Sequence, residues 1–146
     1  MKKMFKGPWG FFRDTLWEHA TPRQIACGIA LGTVLGLVPK GNLTAAAIAL
    51  VIFTCRVNLF AGLTSALVFT AIGAGCVDWL DRIGYAVLTA GPFQTLFARH
   101  YELPWVPWTR FNNSVVMGGL VVGLVQLLPT YYLARFVLNR SAASLS

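Results

Sequence analysis

Charge is scarce in this sequence. Only 12% of its residues are Asp, Glu, Lys or Arg, against 56% that are hydrophobic, and the acids number five. Soluble domains carry about 25% charged residues, so a water-exposed chain of this size could not cover so much apolar surface. Histidine is equally thin: His19 and His100 stand far apart and are expected on opposite sides of a membrane. A Ser-His-Asp set, a pair of catalytic carboxylates, a phosphate loop and a metal cluster are all missing. The expectation is therefore a protein that is not an enzyme and holds no cofactor or metal. Cys27, Cys55 and Cys76 are odd in number, show no CxxC spacing and lie in or beside apolar runs. They read as small packing residues, not as a disulfide framework or zinc ligands. The net charge of +7 comes without a basic helix or an aromatic stacking platform, so no nucleic-acid partner is expected. Lys2, Lys3 and Lys6 are followed by aromatics and charges, which argues against a cleavable signal peptide.

What the sequence does have is long uncharged stretches closed by charges. Residues 4–20 place Trp9, Phe12 and Leu16 on one helical face against Lys6, Arg13, Asp14 and Glu18, the pattern of an interfacial helix. Thr21-Pro22-Arg23-Gln24 is a helix start: Thr21 can cap, Pro22 suits the first turn, and Gln24 completes a capping box. The run Ile25–Val38 ends at Pro39-Lys40-Gly41-Asn42, a turn signal, and a second run, Leu43–Cys55, ends at Arg56. Even counted from Pro22, the first run reaches about 25 Å as helix, short of a hydrocarbon core of about 30 Å. Two structures fit 22–55: a pair of short spans with Lys40 on the far side, or a re-entrant hairpin with its tip covered by protein or water. The length favours the hairpin. Residues 59–77 are long enough to span, 83–98 are broken by Gly91-Pro92 into a re-entrant or surface segment, and 114–134 form the last span.

Orientation follows from the basic residues. Lys2, Lys3, Lys6, Arg13, Arg23, Arg56, Arg135 and Arg140 should face the cytoplasm with both termini, and the segment 78–112 should face out. All five Trp residues, 9, 17, 79, 105 and 108, lie outside the apolar runs, where an interfacial belt would hold them. The fold expected is thus all-α: one polytopic membrane domain over 1–146, with short broken helices and an amino-terminal interfacial helix.

Several small motifs bear on packing and function. Gly28, Gly32 and Gly36 make one smooth stripe, and Gly119 with Gly123 makes another; both would let a neighbouring backbone approach, within the chain or in a homo-oligomer. Lys40 and Asn42 form a candidate polar tip. If buried, the Lys40 ammonium beside the start of the second helix could hold an anion such as a lipid phosphate or a small solute. Gln126 and Pro129 lie inside the last run. Pro129 removes a backbone donor and should kink the helix, and Gln126 could bond the freed carbonyl or a neighbouring helix.

The stretch Thr21–Asn58 resembles the bacterial domain-of-unknown-function family 2062. The residues that carry the likeness are Thr21-Pro22, the glycines 28 to 36, Pro39-Lys40-Gly41 and Arg56-Val57-Asn58. Asp81-Arg82-Ile83-Gly84-Tyr85, Leu103-Pro104 and Arg110-Phe111-Asn112-Asn113-Ser114-Val115-Val116 are similar to a related group of small bacterial inner-membrane proteins. Ser114 stands where that block has Thr. The resemblance implies a bacterial inner membrane and supplies no catalytic residues. The function expected is a non-enzymatic membrane subunit that contacts lipids and associates with itself or a larger membrane partner. The alternative is a small transporter or lipid-handling protein in which 25–55 and 83–98 enter from opposite sides.

Overall fold

The computed structural model describes residues 20–143. The interfacial helix expected over 4–20 lies outside the described residues. Seven helices make up the described chain, and no strand occurs among those residues: α1 Pro22–Leu37, α2 Leu43–Thr54, α3 Leu59–Gly75, α4 Val77–Thr89, α5 Gly91–Tyr101, α6 Val106–Thr109 and α7 Ser114–Ala143.

Side-chain caps start most of the long helices. Thr21 and Gln24 close a reciprocal capping box on α1. Asn42, Asn58 and Asn113 each cap the helix that follows by accepting from backbone amides in its first turn: Ala45, Ala61, and Val115 with Val116. Each satisfies donors that the helix itself leaves unpaired. Gly41 adopts φ +85° in the turn between α1 and α2, a conformation only glycine takes without strain.

α1 is the centre of the fold. It lies between α3 and α7, which make its most extensive contacts, and α2 folds back along it. The contacts along α1 fix the directions of its neighbours. Gly28 lies against Asn58 and Gly62, Gly32 against Gly62 and Ser65, and Gly36 against Ala66 and Phe69, so α3 runs parallel to α1. Gly119 meets Leu37 and Gly123 meets Val34, so α7 runs antiparallel. Gly73 near the close of α3 reaches Leu37 at the close of α1, so the Lys40 turn stands at the same end of the bundle as the end of α3.

At that end the chain changes direction. The apolar run expected over 59–77 stops as a helix at Gly75, and α4 leaves at 85°. The charges Asp78, Asp81 and Arg82 end the apolar surface, and α4 turns to lay Leu80 and Gly84 on α7 while Trp79 and Tyr85 stay exposed. The break at Ala90 before Gly91-Pro92 then separates α4 from α5. α7 is longer than the apolar stretch 114–134: Arg135, Asn139 and Arg140 end the apolar run but not the helix, which continues to Ala143. It is also continuous through Pro129.

Among the described residues, length and composition make one helix, Ser114–Ser141, fit to cross a membrane alone. α3 and α4 pass the same test only together, as a bent pair. α1 and α2 are apolar but shorter, 16 and 12 residues. The interior mixes small and hydroxylated residues with branched apolar ones: Thr33 is 0% exposed and Ser65 8%, beside buried Ala26 and Ala30, and Ile25, Val38, Ile52, Leu80 and Val116 are fully buried. Large apolar side chains face outward on α2, α3 and α7, Leu67 and Val125 among them at 73% and 71% exposed.

Candidate functional site

The polar tip between α1 and α2 is built from backbone as much as from side chains. α1 ends in carbonyls without helical partners. Lys40 curls back onto them: its Nζ donates to the oxygens of Leu35 at 2.5 Å, Val38 at 2.7 Å and Gly36 at 3.3 Å. Its three hydrogens therefore match three carbonyls, and its charge sits at the negative end of the helix dipole. Asn42 works in both directions, donating from Nδ2 to Pro39 O at 2.7 Å and accepting from the Ala45 amide at 2.8 Å. Thr44 ties the start of α2 to α6 by donating to Thr109 O at 2.9 Å. The tip is thus a closed set of caps. An anion approaching it would meet positive charge but no unengaged ammonium hydrogen.

Beside the tip lies a cavity of about 670 Å³, walled by Lys40, Asn42, Ala45 and Ala49 on one side and by Trp105 and Trp108 on the other. Both indoles are largely exposed. A second cavity of about 770 Å³ opens under α5, with His100, Tyr101 and Glu102 in its wall. A third, about 790 Å³, lies at the opposite end of the bundle, between the start of α1, the α2–α3 turn and the second half of α7. Arg23, Arg56 and Arg135 line it.

The five glycines of the two stripes all lie at helix crossings inside the chain. A Cβ on Gly28 would come 2.5 Å from Asn58 O, and one on Gly32 would overlap Gly62 O. One on Gly119 would overlap Leu37 O, and one on Gly123 would fall 3.0 Å from the Val34 Cα. Such distances leave no room for a side chain on either stripe. The tightest crossing joins two glycines the sequence reading did not select. A Cβ on Gly84 would overlap Ser114 O, and one on Gly118 would overlap Leu80 O. Ser114 also donates to the Asp81 carboxylate, locking α4 onto the start of α7. Where α1 meets α3, the Ser65 hydroxyl donates to Ile29 O at 2.9 Å and lies 3.3 Å from the Thr33 hydroxyl, so the polar groups between these helices are satisfied.

Gln126 and Pro129 do not enter the bundle. Both are exposed on the outer face of α7, and the Gln126 side chain bonds to none of the described residues. The proposed bond from Gln126 to the carbonyl freed by Pro129 does not form. At helical spacing, Gln126, Pro129, Leu133 and Phe136 share one outward stripe, in which Gln126 is the polar member.

The tip, the arginine-lined end and the Gln126 stripe each present polar chemistry on an apolar body. No group of three His, Cys, Asp or Glu residues comes together among the described residues. A family model for an uncharacterized protein conserved in bacteria (DUF2062) matches residues 11–144. A protein of Treponema pallidum (strain Nichols), itself named an uncharacterized protein, is 32% identical over 132 residues, covering 90% of this chain and 81% of that one. No solved structure matches.

Proposed function

The chain belongs to the DUF2062 family of bacterial proteins, and we propose that it serves as a non-enzymatic, multi-pass subunit of a bacterial inner-membrane assembly. Membrane insertion is supported by the outward-facing Leu, Val and Phe of α2, α3 and α7 and by helix crossings built on glycine. In this reading α1, α2 and α3 are short spans, about 18–26 Å long at 1.5 Å per residue, in a locally thinned bilayer. α4 to α6, with exposed Trp79, Trp105 and Trp108, lie at the outer interface. Arg23, Arg56 and Arg135 then share the cytoplasmic end, together with both termini.

The observation that carries the subunit reading is Gln126. A carboxamide facing hydrocarbon, one turn before a proline that strips the Val125 carbonyl of its helical donor, leaves a donor and acceptors unsatisfied at depth. A second transmembrane helix laid along Gln126, Pro129 and Leu133 would satisfy them. Because the glycine stripes are consumed inside the chain, association runs through this stripe.

Affinity purification of the tagged chain from native membranes tests the reading. A stoichiometric membrane partner, or a second copy, should accompany the wild type and be lost with Gln126→Leu. A monomer in both cases overturns the subunit role. Reporter fusions should read cytoplasm at Ser146 and near Arg56, and outside near Tyr101; an external carboxyl terminus overturns the orientation. A transporter or lipid-handling role draws on the cavity between the tip and the two tryptophans, and solute or lipid flux in liposomes holding the purified chain alone would establish it instead.

A further inference from the structure

The cavity at the arginine end has chemistry that no packing role uses. Arg23 comes from the first turn of α1, Arg56 from the α2–α3 turn and Arg135 from α7, three separate elements brought to one wall. All three side chains are exposed. Arg23 and Arg56 form no hydrogen bond or ion pair with any described residue. Arg135 donates from Nη1 to the Tyr131 hydroxyl at 3.2 Å, which holds its guanidinium over the cavity side of α7. The described acids stand elsewhere: Asp78 and Asp81 on α4 at the other end of the bundle, and Glu102 beside α5. Asp14 and Glu18 lie outside the described residues.

The wall also changes character with depth. Going up α1 from Arg23, the lining passes Cys27 and Ala30 to Leu31, and going back along α7 from Arg135 it passes Tyr131 to Leu128 and Leu127. Eight helical residues separate Arg23 from Leu31, about 12 Å along the axis. A cleft with clustered guanidiniums at its mouth, phenols below them and leucines beneath is amphipathic in the same order as a phospholipid. Planar guanidinium forks bind phosphate oxygens with paired, charge-assisted hydrogen bonds.

We propose that this cleft is a binding site for an anionic phospholipid. The headgroup phosphate is held among Arg23, Arg56 and Arg135, the Tyr131 hydroxyl lies beside it, and an acyl chain runs along Leu31, Leu127 and Leu128. The cavity of about 790 Å³ accommodates a headgroup and the upper part of a chain, with the remainder in the bilayer. The inference rests on the membrane placement proposed above, and the site would be on the cytoplasmic leaflet, where juxtamembrane basic groups meet anionic lipid.

The test uses the full chain purified in a mild neutral detergent, with a fluorescent phosphatidylglycerol as probe and phosphatidylcholine of the same chain length as comparator. Saturable binding with preference for phosphatidylglycerol is expected. Arg56→Gln and Arg135→Gln should each weaken it about fivefold, and the pair should remove the preference. Arg140→Gln supplies the control, since Arg140 lies over the Phe136 ring, 4.6 Å from its centroid, and does not line the cleft. Equal binding of both lipids overturns the proposal, as does a loss with Arg140→Gln as large as with Arg56→Gln, which would mark unspecific surface charge. Displacement of the probe by millimolar inorganic phosphate alone would make the site one for a free anion, and also overturns the lipid assignment. Resistance of the wild type to alkaline extraction from membranes is read in parallel. A chain that resists extraction but shows no lipid preference sinks this site and leaves the membrane reading intact. A chain released by alkali sinks the membrane reading itself.

Discussion

α1 and α7 are both apolar and both marked by glycines at four-residue spacing, and α7 crosses α1 through its own pair, Gly119 and Gly123. Yet α1 is buried on nearly every side from Ile25 to Leu37, while the second half of α7 exposes Leu124, Val125, Leu128, Leu133, Phe136 and Val137. Hydrophobicity does not separate them. What separates them is how much of each helix is smooth. α1 carries Gly28, Gly32 and Gly36 toward α3, and its Val34 and Leu37 meet α7. α7 is smooth only in its first half, at Gly118, Gly119 and Gly123, and beyond Gly123 its bulky side chains face outward. In the membrane placement proposed above, where lipid is as apolar as leucine, burial follows close approach of backbones more than the number of apolar atoms.

The sharpest way to break that contrast is at the smooth half of α7. A Cβ on Gly118 would overlap Leu80 O, backbone against backbone, so Gly118→Leu must drive α4 off α7. The expected loss is about 3 kcal/mol or more, at or above the upper end of overpacking effects. It should appear as a lower thermal midpoint in detergent, or as failure to recover folded protein. A variant as stable as wild type would show that α4 does not lie on α7.

Gly32→Leu asks the same of the central helix. Its Cβ would overlap Gly62 O and crowd the Ser65 side chain, and Thr33 and Ser65 would lose their close contact. A loss of about 2–3 kcal/mol is expected. Leu31→Ala makes the matched comparison: Leu31 is half-buried against the core and lines the arginine cleft, so removing it should cost less, about 1–2 kcal/mol. A larger loss from Leu31→Ala than from Gly32→Leu would mean that α1 is held by its bulky face and not by its smooth one.

The sequence revealed much of α1 because its signals are local. The Thr21-Pro22 start, the Pro39–Asn42 turn and the three-glycine stripe each involve residues within a few positions of one another, and each has a specific geometric consequence. The Gly84–Gly118 crossing was hidden because its two halves are 34 positions apart and neither belongs to a repeat. Gly118 sits next to Gly119 but about 100° around the helix, so it serves a different neighbour. The 85° turn after Gly75 was hidden for another reason: Asp78 and Asp81 mark where an apolar surface ends, but not which way the chain goes next. The tip was read only in part. The turn and its polar residues were visible, while the engagement of Lys40 with the carbonyls of Leu35, Gly36 and Val38 depends on a side-chain path that spacing does not encode.

That engagement gives a smaller prediction at the far end of α1. Asn42→Ala removes the cap from Ala45 and the bond to Pro39 O, and about 1 kcal/mol should go with it. Lys40→Met removes the cation at the end of the α1 dipole and leaves three carbonyls to find water, for a loss of about 1–2 kcal/mol. Melting of both variants in detergent checks this. If Lys40→Met left stability unchanged, the ammonium would be free to serve a ligand, and the anion reading of the tip would return. In a background with Cys27, Cys55 and Cys76 changed to Ala, rapid labelling of Lys40→Cys by an impermeant thiol reagent added outside sealed cells is expected of a short spanning pair. Protection would favour the re-entrant hairpin.

The smallest effect is expected on the exposed half of α7, where the contrast with α1 is most direct. Leu133 is 66% exposed, whereas Ile25 on α1 is 1% exposed. In detergent the micelle covers Leu133 in both folded and unfolded forms, so Leu133→Ala should change stability by no more than about 0.5 kcal/mol. Ile25→Ala at the buried position should cost about 2–4 kcal/mol, because its cavity has no detergent to fill it. The two substitutions remove similar side chains from apolar surroundings, and they differ only in whether the surroundings are protein. The same Leu133→Ala change should reduce partner recovery from native membranes, since Leu133 shares its stripe with Gln126 and Pro129. A large loss of stability from Leu133→Ala in the purified chain would mean that this face is already covered by a second copy, and diluting the protein into excess detergent should then abolish the difference between Leu133→Ala and wild type.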